Sequence, residues 1–224
     1  TAQIYDAERN LASGFSDGLW MPHLGQVRNP RLCKALLASL ARSPSFSLLT
    51  HTRVTGFEEI DSRIVKAYAN TAGSAEKQVL RAGVFIMTAG AWTQQLLGPL
   101  NVESGVAPVK GQMLQYRLPR PLIDSMVLHH GKYLIPRRGG HLLVGSTLEY
   151  TDFDKSNTEK GRKMLQNAAV GMLPELSRLD PIRHWSGLRP GREGGLPVIG
   201  LVEPRENLFV NAGQFRNGLV LAPA

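Results

Sequence analysis

The sequence has one cysteine, Cys33, in 224 residues, so no intrachain disulfide can form. A lone thiol points to a reducing compartment, and the expected location is the cytoplasm. Cys33 lies in the leucine-rich helical stretch Leu32-Cys-Lys-Ala-Leu-Leu37, where a buried structural thiol is expected rather than a nucleophile. No apolar run approaches the ~20 residues that a membrane span needs. A long basic run is also missing. The net charge of +8 is spread along the chain, dense only at Arg137-Arg138 and between Arg183 and Arg192. That distribution argues against nucleic acid and for a solvated surface with a few cations reserved for small anions. Familiar chemical signatures fail as well. The stretch from Gly140 to Thr147 keeps Walker A spacing but lacks the lysine that would reach a phosphate. Neither a Gly-x-Ser-x-Gly elbow nor a Gly-x-Gly-x-x-Gly loop occurs. The six histidines show no metal-ligand spacing, and His129-His130 read as alternating across a strand. Glu58-Glu59 read as a solvated face. Internal repeats, low-complexity segments and linkers are absent too.

Glycine, by contrast, is concentrated towards the end of the chain. The stretch Gly187-Leu-Arg-Pro-Gly-Arg-Glu-Gly-Gly-Leu-Pro-Val-Ile-Gly200 has five glycines and two prolines, a composition that argues against a helix or an ordinary strand. Arg189 and Arg192 sit within it, and a guanidinium fork matches a carboxylate or phosphate. A second piece, Asn211-Ala-Gly-Gln-Phe-Arg-Asn-Gly-Leu-Val-Leu221, places Gly213 and Arg216-Asn217-Gly218 before an apolar run that can open a helix. Either piece alone reads as surface turns with solvated arginines. Together they suggest a site for an anionic ligand.

At 42% hydrophobic and 20% charged, the chain is long enough for one large domain or two small ones. A turn before Asn29 and Pro30 leads into a helix, with Asn29 as N-cap and Leu32, Leu36, Leu37 and Leu40 on one face. Residues 5–11 read as the end of a helix. Strands are expected over 47–54 (continued by 54–60), 63–68 and 78–87, with hairpin chemistry at Asn70-Thr-Ala-Gly73. The apolar run Val84-Phe-Ile-Met-Thr-Ala-Gly90 feeds a helical Trp92-Thr-Gln-Gln-Leu-Leu97, which suits a buried α/β strand with a ligand near its carboxyl end. Further strands are expected over 110–117, 125–130, 132–137 and 141–147, the last two joined through Arg138-Gly-Gly140. Asn157-Thr158 cap a helix running to about Leu173, with Met164, Leu165, Ala168, Ala169 and Met172 facing inward. A strand over 181–189 leads back to the glycine-arginine stretch. Mixed strands with separated helices predict an α+β fold of two interleaved domains.

Four pieces carry a family resemblance. They are Val106-Ala-Pro-Val-Lys-Gly-Gln-Met113; Tyr133-Leu-Ile-Pro-Arg with Gly140-His-Leu-Leu-Val-Gly-Ser-Thr147; Trp185-Ser-Gly-Leu-Arg-Pro-Gly191 with Leu196-Pro-Val-Ile-Gly200; and Asn211 to Pro223. Together they resemble the FAD-dependent D-amino-acid oxidase superfamily, and within it the glycine oxidases of thiamine biosynthesis. Thr88-Ala-Gly-Ala-Trp92 is similar to that family's second FAD-contacting strand. The resemblance covers essentially the whole chain. In that family the Gly-x-Gly-x-x-Gly loop lies upstream of the point matching Thr1, and the helix after Gly218 continues past Ala224. The chain is therefore expected to be a fragment: 21–103 and 187–224 as remaining parts of the FAD-binding domain, 1–20 and 104–186 as an antiparallel-sheet substrate domain.

The resemblance implies roles for individual residues. Arg189 corresponds to the arginine that pairs with the substrate carboxylate through two charge-assisted hydrogen bonds. Tyr133 corresponds to a tyrosine whose hydroxyl faces the substrate, and Arg216 to an arginine near flavin and substrate. The FAD contacts implied are Val54, Ala89, Gly90, Trp92, Gly187, Gly213, Asn217, Gly218 and Leu219, the last four beside the flavin ring. Arg192 reads as a solvated turn residue. Gly131 and Leu148 depart from the family's pocket wall, which leaves glycine, sarcosine and D-amino acids open as substrates. The implied reaction passes hydride from the substrate Cα to flavin N5. The imine then hydrolyses, and oxygen is reduced to hydrogen peroxide. A D-amino-acid dehydrogenase delivering electrons to a membrane carrier is the nearest rival, and a non-catalytic anion-binding fragment is another. The fragment alone is expected to be inactive and to hold FAD weakly, with a homo-oligomer kept as an option.

Overall fold

The structure is a computed structural model that describes residues 2–222; Thr1, Pro223 and Ala224 lie outside the described residues. The chain forms two compact units, Leu19–Ala82 and Thr1–Gly18 with Gly83–Ala224. Helices and mixed sheets give the α+β class expected from the sequence. A short helix, α1 (Ala2–Ala7), opens the larger unit where 5–11 were expected to be helical.

The smaller unit contains helix α2 (Asn29–Leu40) and an antiparallel meander of β1 (Thr52–Ile60), β2 (Arg63–Thr71) and β3 (Lys77–Leu80). Asn29 does not cap α2. The cap position falls on Arg28, no side chain bonds the free N–H groups, and Pro30 occupies the first turn, where it needs no donor. No residue of α2 is buried, and Leu36, Leu37 and Leu40 are about half exposed. Cys33 is exposed as well, contrary to the expected buried thiol, because the helix has no packed side here. β1 begins only at Thr52, since Thr50 and His51 form a turn and His51 takes a left-handed backbone. Its register against β2 shifts between Val54 and Gly56 and again between Glu58 and Glu59. Glu58 is not simply solvated: it pairs with Lys66 at 2.6 Å and accepts the Tyr68 hydroxyl, and both contacts lower its pKa.

The expected strand 78–87 is two strands. β3 ends at Leu80 and β4 (Phe85–Met87) belongs to another sheet in the larger unit, so the chain leaves one ladder and joins another across Arg81 to Val84. A 3-10 turn (Gly90–Trp92) and helix α3 (Thr93–Leu97) follow. The large antiparallel sheet is then laid down by β5 (Val106–Arg117), β6 (Val127–His129), β7 (Lys132–Arg137) and β8 (His141–Gly145). After helix α4 (Glu159–Met172) comes its last strand, β9 (Arg183–Arg192), and the spatial order is β6-β7-β8-β5-β9. β10 (Val198–Leu201) and β11 (Leu208–Ala212) complete the sheet β10-β11-β4, and α5 (Gly218–Leu221) ends the described chain. β4 runs parallel to β11, as an α/β strand should, yet Ile86 is exposed, so it is not buried on both faces.

Two details of the large sheet differ from the sequence reading for clear reasons. Gly187 to Arg192 are strand residues after all: β9 is an edge strand, where Pro190 costs no ladder bond. His129 and His130 do not alternate across a strand, because β6 stops at His129, His130 turns left-handed and the two rings pack 4.0 Å apart. The core lies on one face of this sheet. Leu114, Tyr116, Leu134, Leu142 and Val144 meet Leu165, Ala169 and Met172 of α4, all essentially buried. Met164 points outward instead, since Gly161, Leu165, Ala169 and Met172 take the inner stripe at spacings of four and three. Thr158 caps α4 by accepting the Gly161 N–H at 3.1 Å.

Candidate active site

The opposite face of the same sheet carries the candidate site. On β5, Lys110, Gln112, Leu114 and Tyr116 alternate with Val109, Gly111, Met113 and Gln115; the first set is buried throughout, on the α4 side, whereas the second joins buried Val109 and Gly111 to half-buried Met113 and Gln115. Register then assigns the second face. Arg189 lies opposite Val109, Gly187 opposite Gly111, Trp185 opposite Met113, and Gly145 joins Met113 to Tyr133. Arg189, Tyr133, Met113, Trp185 and Gly187 therefore share one face. The arginine and the tyrosine start three strands apart, ~14 Å at the usual strand spacing. Two glycines bring their functional ends together.

Gly111 lets the Arg189 side chain lie across β5. A Cβ at position 111 would collide with the whole guanidinium. From there Arg189 Nη2 donates to Ser146 Oγ at 2.7 Å and Nη1 to the Thr147 carbonyl at 3.4 Å. Gly145 does the same for Tyr133, whose ring carbons and hydroxyl lie 2.6–2.7 Å from where a Cβ would stand. The Tyr133 hydroxyl reaches Met113 Sδ at 3.8 Å. The guanidinium and the phenol thus flank one dipeptide, Gly145-Ser146, at the end of β8. Among the described residues no carboxylate pairs with Arg189, so its charge is met by neutral oxygens alone.

The glycine-arginine loop comes next. The Phe215 N–H donates to the Pro190 carbonyl at 3.1 Å, which ties the loop carrying Arg216 to the residue after Arg189. Gly213 has φ +83, a backbone conformation that favours glycine. Arg216, Asn217 and Leu219 are exposed, and α5 starts at Gly218 with no side chain on its free N–H groups. The turn Gly90–Trp92 packs against β5 and β9, so Ala89, Gly90 and Trp92 belong to the same surroundings. Gly90 is left-handed at φ +55, and the Trp92 ring stacks obliquely on Phe153. Arg192 is exposed but not idle: it donates to the carbonyls of Ser104 and Leu196. Gly131 and Leu148 are both exposed, Gly131 in the β6–β7 turn. Val54 sits on β1 opposite Ala69, in the Leu19–Ala82 unit and outside the unit that assembles the others.

Beneath the site, on the α4 side, a buried polar network clamps the same loop. The Lys110 side chain is 1% exposed; its Nζ lies 3.0 Å from Asp154 and 3.4 Å from Glu149 and donates to the Ser156 carbonyl. The Asp154 partnership, joined by the Glu149 charge, outweighs burial and raises the lysine pKa. Burial pushes Glu149 up, but hydrogen bonds from Thr147 and Gln112 and the Lys110 charge win and leave it below the usual carboxylate value. Gln112 also bonds Thr158 at the helix cap and meets His184 Nε2 at 2.8 Å. Gly161 is required there, since any side chain would strike the Gln112 amide. Sequence reasoning missed Gly111, Gly145, Ser146 and Lys110, although three of the four pieces quoted for the resemblance hold them or their partners. Among the described residues no group of histidines, cysteines and carboxylates is arranged to hold a metal.

A family model described as DAO, FAD dependent oxidoreductase, matches residues 1–224. The chain belongs to the DAO family. Its sequence is 44% identical to a glycine oxidase of Pseudomonas putida over 98% of this chain and 59% of that protein. It is 32% identical to a bifunctional ThiO/ThiG protein of a Nostoc species, over 99% of this chain and 33% of the relative. A crystal structure of glycine oxidase from Geobacillus kaustophilus superimposes with a TM-score of 0.87 at 31% identity, over 99% of this chain and 58% of that one. This member of the DAO family therefore spans less than two thirds of the length of the glycine oxidases it matches. No described helix is long and apolar enough to cross a membrane.

Proposed function

We propose that the whole protein oxidises the amine of a small amino acid with FAD, glycine first, with sarcosine and small D-amino acids as the other candidates, and that it yields an imine, then an oxoacid, and hydrogen peroxide. The observation that carries this reading is the Arg189 guanidinium, laid over Gly111 on an open sheet face, held by neutral acceptors and without a carboxylate of its own. A fork of N–H donors in that state suits the carboxylate of an amino acid. Tyr133 adds a hydroxyl on the same sheet face, packed against Gly145 and Met113. The relatives named glycine oxidase supply the substrate, and the ThiO/ThiG relative agrees with the role in thiamine biosynthesis expected above.

FAD fits the residues present. Gly187 is exposed on the site face with nothing within 4 Å of a would-be Cβ, so bare backbone is available there for the close approach of a flat ring. Gly90 likewise has open space beside it. The residues we assign to FAD are Val54, Ala89, Gly90, Trp92, Gly187, Gly213, Asn217, Gly218 and Leu219. When bound, the cofactor supplies the two-electron acceptor. The protein's share is orientation. Arg189 fixes the carboxylate, Tyr133 borders the amine end, and Arg216 adds positive charge at the rim.

We assign 21–103 and 187–224 to the FAD-binding domain and 1–20 with 104–186 to the substrate domain. Three bonds support placing the first residues there: Asn10 Nδ2 to the Leu122 carbonyl at 2.6 Å, the Ser125 N–H to Glu8 at 2.5 Å, and the Ala12 N–H to the Met172 carbonyl at 2.9 Å. The decisive test is Arg189→Leu in the whole protein. It should lower kcat/KM for glycine by about 3 kcal/mol, roughly a hundredfold. An unchanged value would sink the assignment. Peroxide formed in step with glycine consumption under air separates an oxidase from a dehydrogenase that passes electrons to a membrane carrier.

A further inference from the structure

We infer that Ser146 is the positioning residue of Arg189, and that Lys110 holds Ser146 in place from the far face of the sheet. The inference rests on the reading of Arg189 as the carboxylate-binding group. Arginine has four rotatable side-chain bonds, and immobilising such a chain when a ligand arrives costs affinity. Here it is immobilised beforehand. Gly111 gives it a flat bed, Ser146 Oγ accepts from Nη2 at 2.7 Å, and the Thr147 carbonyl accepts from Nη1 at 3.4 Å. Both acceptors are neutral, so they fix the fork without consuming its charge.

The loop that supplies them is itself tied down. The Thr147 N–H donates to the Gln112 carbonyl at 3.2 Å, and the Gln112 N–H to Thr147 Oγ1 at 2.8 Å. Lys110 and Glu149 exchange both backbone bonds, at 2.8 and 2.9 Å. Lys132 Nζ holds the Ser146 carbonyl at 3.0 Å. The buried Lys110 ammonium then finds Glu149 at the end of this loop and Asp154 just beyond it. Were the loop to lift, a buried cation would lose its counter-charge, and that is a strongly disfavoured state. The burial of Lys110 on one face thus stiffens the acceptors that aim Arg189 on the other.

The experiment uses the whole FAD-loaded protein and two readouts: glycine KM and kcat, and binding of acetate, a carboxylate without an amine, followed by the flavin absorption spectrum. Ser146→Ala should raise the glycine KM and the acetate dissociation constant together, roughly fivefold each, with kcat within about twofold of wild type. Ser146→Thr keeps the hydroxyl and should restore both constants. Glu149→Gln, which keeps its shape but weakens the hold of Lys110, should raise them by roughly threefold. If Ser146→Ala leaves both constants within about twofold, or lowers kcat alone, the positioning role is overturned. Arg189→Leu separates that failure from a failure of the underlying reading. Loss of acetate binding in Arg189→Leu with none in Ser146→Ala refutes only the positioning role, whereas acetate binding that survives Arg189→Leu refutes both.

Discussion

The two faces of the five-stranded sheet are made by the same strands and could hardly differ more. The face towards α4 is filled: Leu114, Leu134, Leu142 and Val144 are fully buried, and its polar groups, Lys110 and Gln112, are each met by several partners. The other face is left half open, with Trp185 and Gly187 exposed and a guanidinium lying over bare backbone. Close packing belongs to a surface that needs only to be stable. The open face gives up apolar burial at Gly111, Gly145 and Gly187, and the stability lost there is offset by the core on the reverse side. A single alternation of residues along β5 separates the two tasks.

This contrast predicts opposite responses to single substitutions. The largest effect is expected on the filled face. Leu165→Ala leaves a cavity at a fully buried position and should lower the unfolding free energy of the chain by about 3 kcal/mol, read from a denaturant midpoint. In the whole protein it should leave the glycine KM near wild type. A loss below about 1 kcal/mol would mean that this core is looser than its burial implies.

The open face should behave the other way. Gly111→Ala places a methyl group where the Arg189 guanidinium now lies. The clash is with the end of a flexible side chain, so the arginine moves and the fold survives. In the whole protein kcat/KM for glycine should fall by about 2 kcal/mol, roughly thirtyfold, while the chain's unfolding free energy stays within about 0.5 kcal/mol. Equal damage to activity and stability would erase the distinction between the faces.

Legibility in the sequence follows the same division. Period-two strands, the Thr158 cap and most of the α4 core stripe could be read because each depends on neighbours in sequence. The open face could be read only in part. Arg189 and Tyr133 were picked out by resemblance, but Gly111 and Gly145 do their work across strands, and register is not written in any local pattern. The glycine-arginine stretch misled for a related reason. Its composition argues for turns, yet at a sheet edge Pro190 and Gly191 fit a strand, with Gly191 leaving room for Val109. For α2 the leucine pattern gave the helix correctly but not its surroundings, and Leu36, Leu37 and Leu40 lie exposed.

The smallest expected effect tests the polar part of the filled face. The Ser156 backbone N–H, the Lys110 ammonium and the Ser156 hydroxyl together hold the Asp154 carboxyl at about 2. In the unfolded chain it titrates near 3.9, the ordinary aspartate value. A carboxyl depressed in the folded state stabilises above its unfolded pKa, and the contribution disappears as pH falls through its folded pKa. For Asp154 the window therefore runs from about pH 4 down to about pH 2. Asp154→Asn removes the titration, so the stability gap between wild type and variant should be constant from neutral pH to about pH 4 and close as pH approaches 2. The carboxylate is half exposed, which keeps the gap modest. A gap that stays open at pH 2 would show that Lys110 does not depend on this charge and is satisfied by Glu149 alone.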